Sequence, residues 1–395
     1  MSDGRRVWLS GFFLLGMLLG LLGPLLVVWR YQIDVEPHLI GLHFLALNAG
    51  YVVAAAVSSR LLRRIVPSRL ALGASVLALA ALIALAFAAP PVSTRWRLAL
   101  LFCAGLAAGA LAGALLYGSE HIFRASSLAA AFRAALLFGL GCLLATVLCG
   151  ATYFVGFSPF ALLALAVVPC VYAVLFWRVP AARAASAGAP SADPLEETLS
   201  DLRSIATVLF SFLVFFQFGN EWAIAGWLPL FLIHRLGSNP ALSIGVLAVY
   251  FATLAVGRVT ALRLMPLLHR RRFLLASIAL AVCGFILLEL ARSLAAATIA
   301  AIVIGAGFAA IYPLISEQLD QRFSYHPGFY NGTTSIAVTG AMSTPWLLGF
   351  VAASYGMGYV MLLPAIGSVV VLLLALLLMY EAHLMREKTP PARIG

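Results

Sequence analysis

The sequence predicts an all-α membrane protein with about twelve transmembrane helices arranged as two pseudo-symmetric six-helix bundles. Hydrophobic residues make up 63% of the 395 residues and charged residues only 10%, whereas soluble domains are about a quarter charged. Long apolar runs alternate with short polar loops, and the two halves of the chain resemble each other. The runs are unbroken rather than alternating in hydrophobicity, which argues against a membrane β-barrel.

Apolar runs between charged residues or Pro/Gly breaks define the spans, each near the roughly 20 residues that cross a bilayer as a helix. The first half contains six, at Val7–Trp29, Leu39–Ser59, Leu70–Ala89, Leu98–Tyr117, Leu128–Cys149 and Pro159–Phe176. The second half contains six more, at Ile205–Ile233, Ala241–Met265, Phe273–Leu290, Ala295–Ile315, Tyr330–Ala352 and Tyr359–Tyr380. The first run is too long for a signal peptide and lacks a clear cleavage site, so it remains a span.

One long polar segment separates the halves. From Arg178 to Arg203 the chain reads RVPAARAASAGAPSADPLEETLSDLR, a composition typical of a linker or a surface helix rather than of a third domain. We therefore expect an N-terminal six-helix bundle over residues 1–177, a cytoplasmic linker over residues 178–204, and a C-terminal six-helix bundle with a short cytoplasmic tail over residues 205–395.

The distribution of arginine predicts how the bundle is oriented. The formal net charge is +11, and the arginines gather at the N-terminus, in the even-numbered loops, in the linker and in the tail. This is the positive-inside pattern of a protein of the cell inner membrane, with both termini in the cytoplasm. Basic residues that are spread over alternate loops do not indicate a nucleic-acid partner.

Two pairs of segments indicate an internal duplication. IGLHFLALNAGYVVAAAVSSRLLRRI aligns with IGVLAVYFATLAVGRVTALRLMPLLHRRR, which pairs Gly41 with Gly245. GLAAGALAGALLYGSEHIFR resembles GAGFAAIYPLISEQLDQRF, which pairs Glu120 with Glu317. Repeated halves with a site between them are the architecture of many secondary transporters.

On these features the chain resembles the major facilitator superfamily of transporters. Three segments are also similar to spans of the fucose-permease-like branch, which contains sugar and metabolite permeases. They are EWAIAGWLPLFL for the seventh span, YFATLAVGR for the eighth and GAMSTPWLLGF for the eleventh. The resemblance implies the major facilitator fold and transport by alternating access. Two features of the family are missing: the Asp of its signature after the second span, and the acids that handle protons in the first and fourth spans of fucose permeases.

The resemblance also implies a charged network at the cytoplasmic ends of the spans. In sugar porters, acids that end the fourth and tenth spans meet arginines in or after the second and eighth. The corresponding residues here are Arg60, Arg63, Glu120, Arg124, Arg258, Arg263, Glu317 and Arg322. These pairs either gate the transport cycle or are interface charges without a gating role, since an exposed pair contributes only about 0–1 kcal/mol.

Glu221 is an acidic residue near the middle of a long apolar stretch, in the run QFGNEWAIAGWLP. A carboxylate at that depth is costly and normally faces a protein interior or a water-filled path. Gln217 and Asn220 precede it closely, and a helix is expected to direct all three side chains toward one sector. The group suits a polar ligand or an exchangeable proton. The alternative is a structural acid that is hydrogen-bonded to a neighbouring helix.

Aromatic and neutral polar residues extend this candidate site. Trp222 and Trp227 flank Glu221, and aromatic faces either line ligand sites or pack in cores. Pro229 predicts a local break in the helix where a gate could bend. Neutral polar residues of other spans, which either face the cavity or join helices, complete the candidate substrate-binding or proton-coupling set: Asn48, Tyr312 and Asn331.

The sequence therefore favours a secondary transporter of a small polar solute, sugar-like or another metabolite, with Glu221 as the candidate for proton coupling. A proton-driven exporter of amphipathic drugs or lipids is the close alternative, because the predicted cavity is poor in charge. An enzyme is not expected, since no metal-ligand set or nucleotide loop is present, and a non-transporting sensor is disfavoured by the repeat. The expected partners are the solute, protons and the lipid bilayer, for a monomer without cofactor or metal.

Overall fold

The computed structural model describes residues 3–34, 36–153, 159–180, 205–323 and 327–388, without the side chains of residues 3, 34, 127, 205, 206, 319–331 and 382–388. Every regular element within these ranges is helical. Eleven helices are long and apolar enough to cross a membrane, or twelve if one bent pair counts as a single span. Large apolar side chains such as Phe87, Val167 and Leu290 are exposed, where a bilayer would cover them. The predicted all-α membrane fold is confirmed.

The spans of the first half are Asp3–Gly20 with Leu22–Val28, then Pro37–Leu61, Pro67–Phe87, Thr94–Gly118, Ser127–Tyr153 and Pro159–Arg178. Those of the second half are Ile205–Leu236, Pro240–Leu264, Arg270–Leu290, Leu294–Phe323, Pro327–Tyr355 and Leu362–Lys388. Short helices at Tyr31–Asp34 and Glu120–Ala125 join spans. Most spans extend beyond the apolar runs, because a helix satisfies its own backbone hydrogen bonds wherever it continues. The predicted linker lies outside the described residues beyond residue 180.

The first span is bent rather than straight. Its two helical segments meet at Leu21 at an angle of 42°. Pro24 has no N–H for the carbonyl one turn earlier, and Gly20 and Gly23 flank the bend, so the two usual causes of a kink coincide. Gly23 packs directly against the backbone of Ala225 in the seventh span. The bend therefore brings the second segment of the first span against the other half of the protein.

The two halves contact each other through a few pairs of spans. The second span packs along the eleventh, and the fifth packs against the eighth and the tenth. Within the first half, the second span packs closely on the fourth, where Gly105 and Gly109 contact the backbone of Leu47 and Tyr51. Within the second half, the tenth span packs on the eighth and ninth, and the seventh on the eleventh and twelfth.

We call the side of the membrane that carries the arginines of residues 60–69 and 270–272 the Arg-rich side. On the opposite side, the second and eleventh spans touch backbone to backbone. A Cβ atom added to Gly41 would lie 2.8 Å from the Trp346 carbonyl oxygen, and one added to Gly349 would lie 2.8 Å from the Pro37 carbonyl oxygen. Only glycine fits at these separations. We call this contact, formed by Gly41 and Gly349, the glycine seal.

Candidate functional site

A cavity lies between the two halves and extends from mid-depth toward the Arg-rich side. Its empty volume is about 900 Å3, including the part that is open to solvent. The first, second, fourth and fifth spans line it from one half, and the seventh, eighth, tenth and eleventh line it from the other. The glycine seal closes the protein on the opposite side. The cavity therefore lies between the glycine seal and the Arg-rich side.

Apolar side chains form most of the cavity wall. The aromatic members are Phe12, Tyr51, Phe123, Phe138, Phe218, Trp222 and Tyr312. Leucine, alanine and valine side chains fill most of the remaining wall. Among the described residues, Glu221 and Arg258 are the charged members of the wall, and Ser316 and Thr334 add hydroxyl groups.

Glu221 of the seventh span and Arg258 of the eighth span form an ion pair on this wall. The Arg258 Nη2 atom lies 3.4 Å from Glu221 Oε1, and the side chains are 3% and 13% exposed, respectively. Strong charge-assisted hydrogen bonds between these groups are shorter, about 2.7–2.9 Å, and often bidentate. The contact is thus a single, long one, so Glu221 is a weak partner for the guanidinium.

Arg258 also joins the two halves. Its Nη1 atom donates a hydrogen bond to the backbone carbonyl of Ala135 in the fifth span. A Cβ atom added to Gly139, one turn further along that span, would lie 2.7 Å from Nη1. The missing side chain of Gly139 therefore makes the slot that the guanidinium occupies. The Arg258 Nε atom is buried and has no hydrogen-bond acceptor among the described residues.

The position of Arg258 corrects the expectation that it belongs to the charged network at the ends of the spans. The long side chain of Arg258 reaches the mid-depth carboxylate of Glu221 instead of Glu317. Glu317 pairs with Arg270, although Arg258 or Arg263 was the expected partner. How far each arginine side chain reaches along its helix depends on the packing of neighbouring spans, which the sequence does not show.

The remaining residues of the expected network do not meet across the halves within the described part of the chain. Glu120 pairs with Arg124 of its own short helix, at 2.8 Å, rather than with Arg60 or Arg63. The side chains of Arg60, Arg63 and Arg263 are exposed. The side chain of Arg322 lies outside the described residues. A gating role for these residues stays a prediction.

The three polar side chains around Glu221 do not all face the cavity. Gln217 is buried one turn before Glu221 and close to its carboxyl group, although its amide atoms lack a well-formed hydrogen bond among the described residues. Asn220 packs against Gly367 of the twelfth span and does not line the cavity. The expectation that one helix sector holds all three is wrong for Asn220, because adjacent helical residues point about 100° apart.

The two tryptophans have different positions. Trp222 lines the cavity and makes an edge-to-face contact with Phe138 of the fifth span, with ring centroids 6.1 Å apart. Trp227 is fully buried away from the cavity, where its Nε1 donates a 3.1 Å hydrogen bond to the Pro345 carbonyl of the eleventh span. This hydrogen bond lies within the second half, whereas the stacking of Trp227 on Phe44 of the second span, with ring centroids 6.4 Å apart, joins the two halves. The break predicted at Pro229 is absent, since the helix continues to Leu236.

The other candidates come from the second, tenth and eleventh spans. Asn48 is buried, and its Nδ2 donates a 2.9 Å hydrogen bond to the Phe44 carbonyl of its own helix, so it does not line the cavity. Tyr312 does line it and packs edge-to-face on Phe218, with ring centroids 5.1 Å apart. The side chain of Asn331 lies outside the described residues. Thr334, one turn later, faces the cavity in its place.

Sequence reasoning missed Arg258 as the partner of Glu221, and it missed the aromatic wall provided by Tyr51 and Phe138. The signal for Arg258 was present, since the run YFATLAVGRVT places a cation inside an apolar span and such residues normally pair with an acid. No comparable signal marks Tyr51 or Phe138. Within the described residues, no group of His, Cys, Asp or Glu side chains is arranged to hold a metal ion.

Comparisons with known proteins identify the fold. The model of the Major Facilitator Superfamily matches residues 8–342. The nucleoside transporter NupG is 14% identical over 96% of this chain and 99% of its own, with a TM-score of 0.68. The E. coli fucose:proton symporter FucP is 16% identical over 95% and 98%, with a TM-score of 0.66. A D-xylose-proton symporter is 12% identical over 94% and 96%, with a TM-score of 0.74. None of the curated protein sequences matches the chain.

Proposed function

The chain belongs to the Major Facilitator Superfamily, and from this premise we propose that it moves a small solute across the cell inner membrane by alternating access, with Glu221 carrying a coupled proton. The observation that carries the proposal is a carboxylate at mid-depth on the wall of a cavity that extends toward the Arg-rich side. By the positive-inside pattern the Arg-rich side is cytoplasmic. The arrangement then corresponds to the inward-facing state of a transporter with cytoplasmic termini.

The loose ion pair supports the coupling role of Glu221. A carboxylate at mid-depth is stable in two forms, either ionised beside Arg258 or protonated without it. The 3.4 Å contact is longer than a well-formed charge-assisted hydrogen bond, which favours exchange between these forms. In the protonated form Glu221 itself is neutral, and the positive charge of Arg258 then needs another anion in the site. A proton taken up on one side is thereby released on the other.

The second hydrogen bond of Arg258 links this exchange to the conformation of the protein. Arg258 belongs to the second half, and its Nη1 binds the Ala135 carbonyl of the first half. When Glu221 is protonated, Arg258 loses its carboxylate partner and can turn toward the solute or toward Ala135. The contact between the fifth and eighth spans then depends on what Glu221 and the solute do. Such a bistable contact is the physical basis of coupling between sites.

Two functions that differ in the direction of transport are candidates. Uptake of a small polar solute is the function that the sequence favoured. Proton-driven export of an amphipathic compound is the second candidate, and the aromatic wall of Phe12, Phe138, Phe218, Trp222 and Tyr312 supports it. Both use the same cavity and the same carboxylate. They differ in which side loads the solute.

Transport by the purified protein in proteoliposomes tests the proposal. A mixture of sugars, organic acids, nucleosides and amphipathic compounds is supplied on one side under an imposed pH gradient, and the solutes that move are identified by mass spectrometry. The Glu221→Gln variant should lose gradient-driven accumulation but keep exchange of solute for solute. Glu289→Gln is the matched control, because Glu289 pairs with Arg235 away from the cavity. Unchanged accumulation in Glu221→Gln would show that Glu221 carries no coupled proton.

A further inference from the structure

The chemistry of the cavity wall narrows the solute, and we propose that it is an amphipathic monocarboxylate: a flat or bulky apolar body that carries one carboxylate and binds together with a proton on Glu221. This inference rests on the proposed proton-coupled transport. It takes the place of the sugar-like solute that the sequence favoured. Three features carry it: the apolar wall, the incompletely bonded guanidinium of Arg258, and the balance of charge in the site.

The wall can bury an apolar body but cannot satisfy many hydroxyl groups. Trp222 packs edge-to-face on Phe138, and Phe218 packs edge-to-face on Tyr312, on either side of Glu221. These four rings line the cavity, and their faces and edges suit a planar apolar ligand. A hexose has five hydroxyl groups, and each one buried without a partner lowers affinity on the order of tenfold. The few polar groups of the wall cannot meet that requirement.

Arg258 has unused hydrogen-bonding capacity for an anion. A guanidinium has five N–H donors in a planar fork that matches a carboxylate. Within the described residues, Nη1 binds the Ala135 carbonyl, Nη2 makes the long contact to Glu221, and Nε has no acceptor. Arg258 is 3% exposed and lies on the cavity wall. A carboxylate from the solute can therefore replace Glu221 and also use the free capacity of the fork.

The balance of charge makes the anion and the proton bind together. The empty site holds one carboxylate and one guanidinium, which sum to zero. With a carboxylate solute and a proton on Glu221, the site again sums to zero. An anion without the proton leaves one negative charge in the apolar wall, and a proton without the anion leaves one positive charge, and each of these is costly. A cationic solute is disfavoured because Arg258 already provides the positive charge.

Other titratable groups near Glu221 do not alter this balance. Within the described residues, the side chains in electrostatic contact with it are Arg258 and Tyr250 of the eighth span, Tyr312 of the tenth span and Cys142 of the fifth span. Tyrosine and cysteine side chains are uncharged when they are protonated, and their ordinary pKa values lie at about 10 and 8.5. Glu221 is therefore the group in the site that gains the coupled proton.

A trio of probes with the same ring and different head groups tests the proposal: 2-naphthoate, 2-naphthalenemethanol and 2-naphthalenemethylamine. Binding to the purified full-length protein is measured by calorimetry between about pH 8 and pH 6, where naphthoate stays ionised. Naphthoate should bind more tightly than the alcohol, and the amine least tightly. Naphthoate affinity should rise as the pH falls, by at most tenfold per pH unit for one linked proton. Acetate, which has the carboxylate without the ring, should not bind.

Two variants identify the residues responsible. Arg258→Lys should lower naphthoate affinity roughly tenfold or more, because an ammonium lacks the planar fork, and should change the affinity for the alcohol little. Glu221→Gln, which resembles the protonated form, should bind naphthoate at least as tightly as the unchanged protein at low pH, and without pH dependence. Glu289→Gln should behave as the unchanged protein.

The proposal is overturned if the alcohol or the amine binds as tightly as naphthoate, or if Arg258→Lys leaves naphthoate affinity unchanged. These outcomes are separate from failure of the proposed function. Binding is measured without a gradient, so a uniporter of carboxylates would bind naphthoate through Arg258 and yet show no gradient-driven accumulation. A proton-coupled transporter of neutral solutes would accumulate its solute and still prefer the alcohol.

Discussion

Gly139→Ala should disturb Arg258 specifically, because Gly139 makes the slot for its guanidinium. An alanine Cβ at this position would lie 2.7 Å from Nη1, while the next contacts would be at 3.9 Å and 4.0 Å. An ordinary contact begins near 3.4 Å, so Nη1 must move by the difference between 3.4 Å and 2.7 Å, about 0.7 Å. That movement breaks or lengthens the hydrogen bond to the Ala135 carbonyl.

The expected magnitude follows from two opposing terms. Loss of a buried hydrogen bond from a charged donor costs about 1.5–3 kcal/mol. Alanine is better than glycine inside a helix by about 1 kcal/mol. The net effect on the free energy of unfolding is then a loss of about 0.5–2 kcal/mol. Gly245→Ala in the eighth span is the matched control. Its added Cβ would have no neighbour within 4 Å, so it should stabilise by up to about 1 kcal/mol.

A double-mutant cycle with Arg258→Ala isolates the contact. Unfolding of the purified protein in mixed micelles is followed by tryptophan fluorescence for both single variants and the double variant. Once Arg258 is removed, Gly139→Ala should behave like Gly245→Ala, which gives a coupling of about 1.5–3 kcal/mol between the two positions. A coupling below about 0.5 kcal/mol would refute the reasoning, because it would mean that the guanidinium does not depend on the slot.

Two further results are expected. Gly349→Val should force the second and eleventh spans apart at the glycine seal. A cysteine introduced at Ala131, in a background without native cysteines, should then be labelled less from the Arg-rich side. Gly73→Val, whose added Cβ has no neighbour within 4 Å, should leave this labelling unchanged, and equal labelling in both variants would contradict the role of the seal. Burial and the nearby charge of Arg5 lower the pKa of His121 below 6.5. Because the unfolded chain then binds this proton more tightly than the folded chain, thermal stability should fall as the pH drops through about 6.5. The fall should be smaller in His121→Gln, and an identical pH profile for the two proteins would exclude this contribution.

Much of the fold was predictable because the bilayer imposes a strong constraint on the sequence. Twelve apolar runs predicted the spans, and the features missed within the described residues include the bend at Leu21, the short connecting helices and the helical extensions. Glu221 was also predictable, since an ionisable residue within an apolar run needs a reason to be there. Its position on the cavity wall agrees with that expectation, whereas its role as a proton carrier stays a proposal.

The faces of the helices were less predictable. In a soluble protein the polar face of a helix identifies its solvent-facing side. A transmembrane helix is apolar both toward lipid and toward the other helices. The sequence therefore could not tell that Asn220 faces the twelfth span while Glu221 faces the cavity, or that Trp227 packs away from it. The partner of Arg258 depended on the fifth and seventh spans, which are distant in sequence. Only the assembled bundle supplies that information.

The contact of Gly41 and Gly349 has a mechanical consequence. The two glycines have no side chains that could keep contact as the helices separate, and dispersion forces weaken within about an ångström of separation. Separation of the second and eleventh spans at this point is therefore abrupt, and the two helices are either in contact or fully apart. We therefore expect this contact to have no partly open form through which ions could leak between the second and eleventh spans.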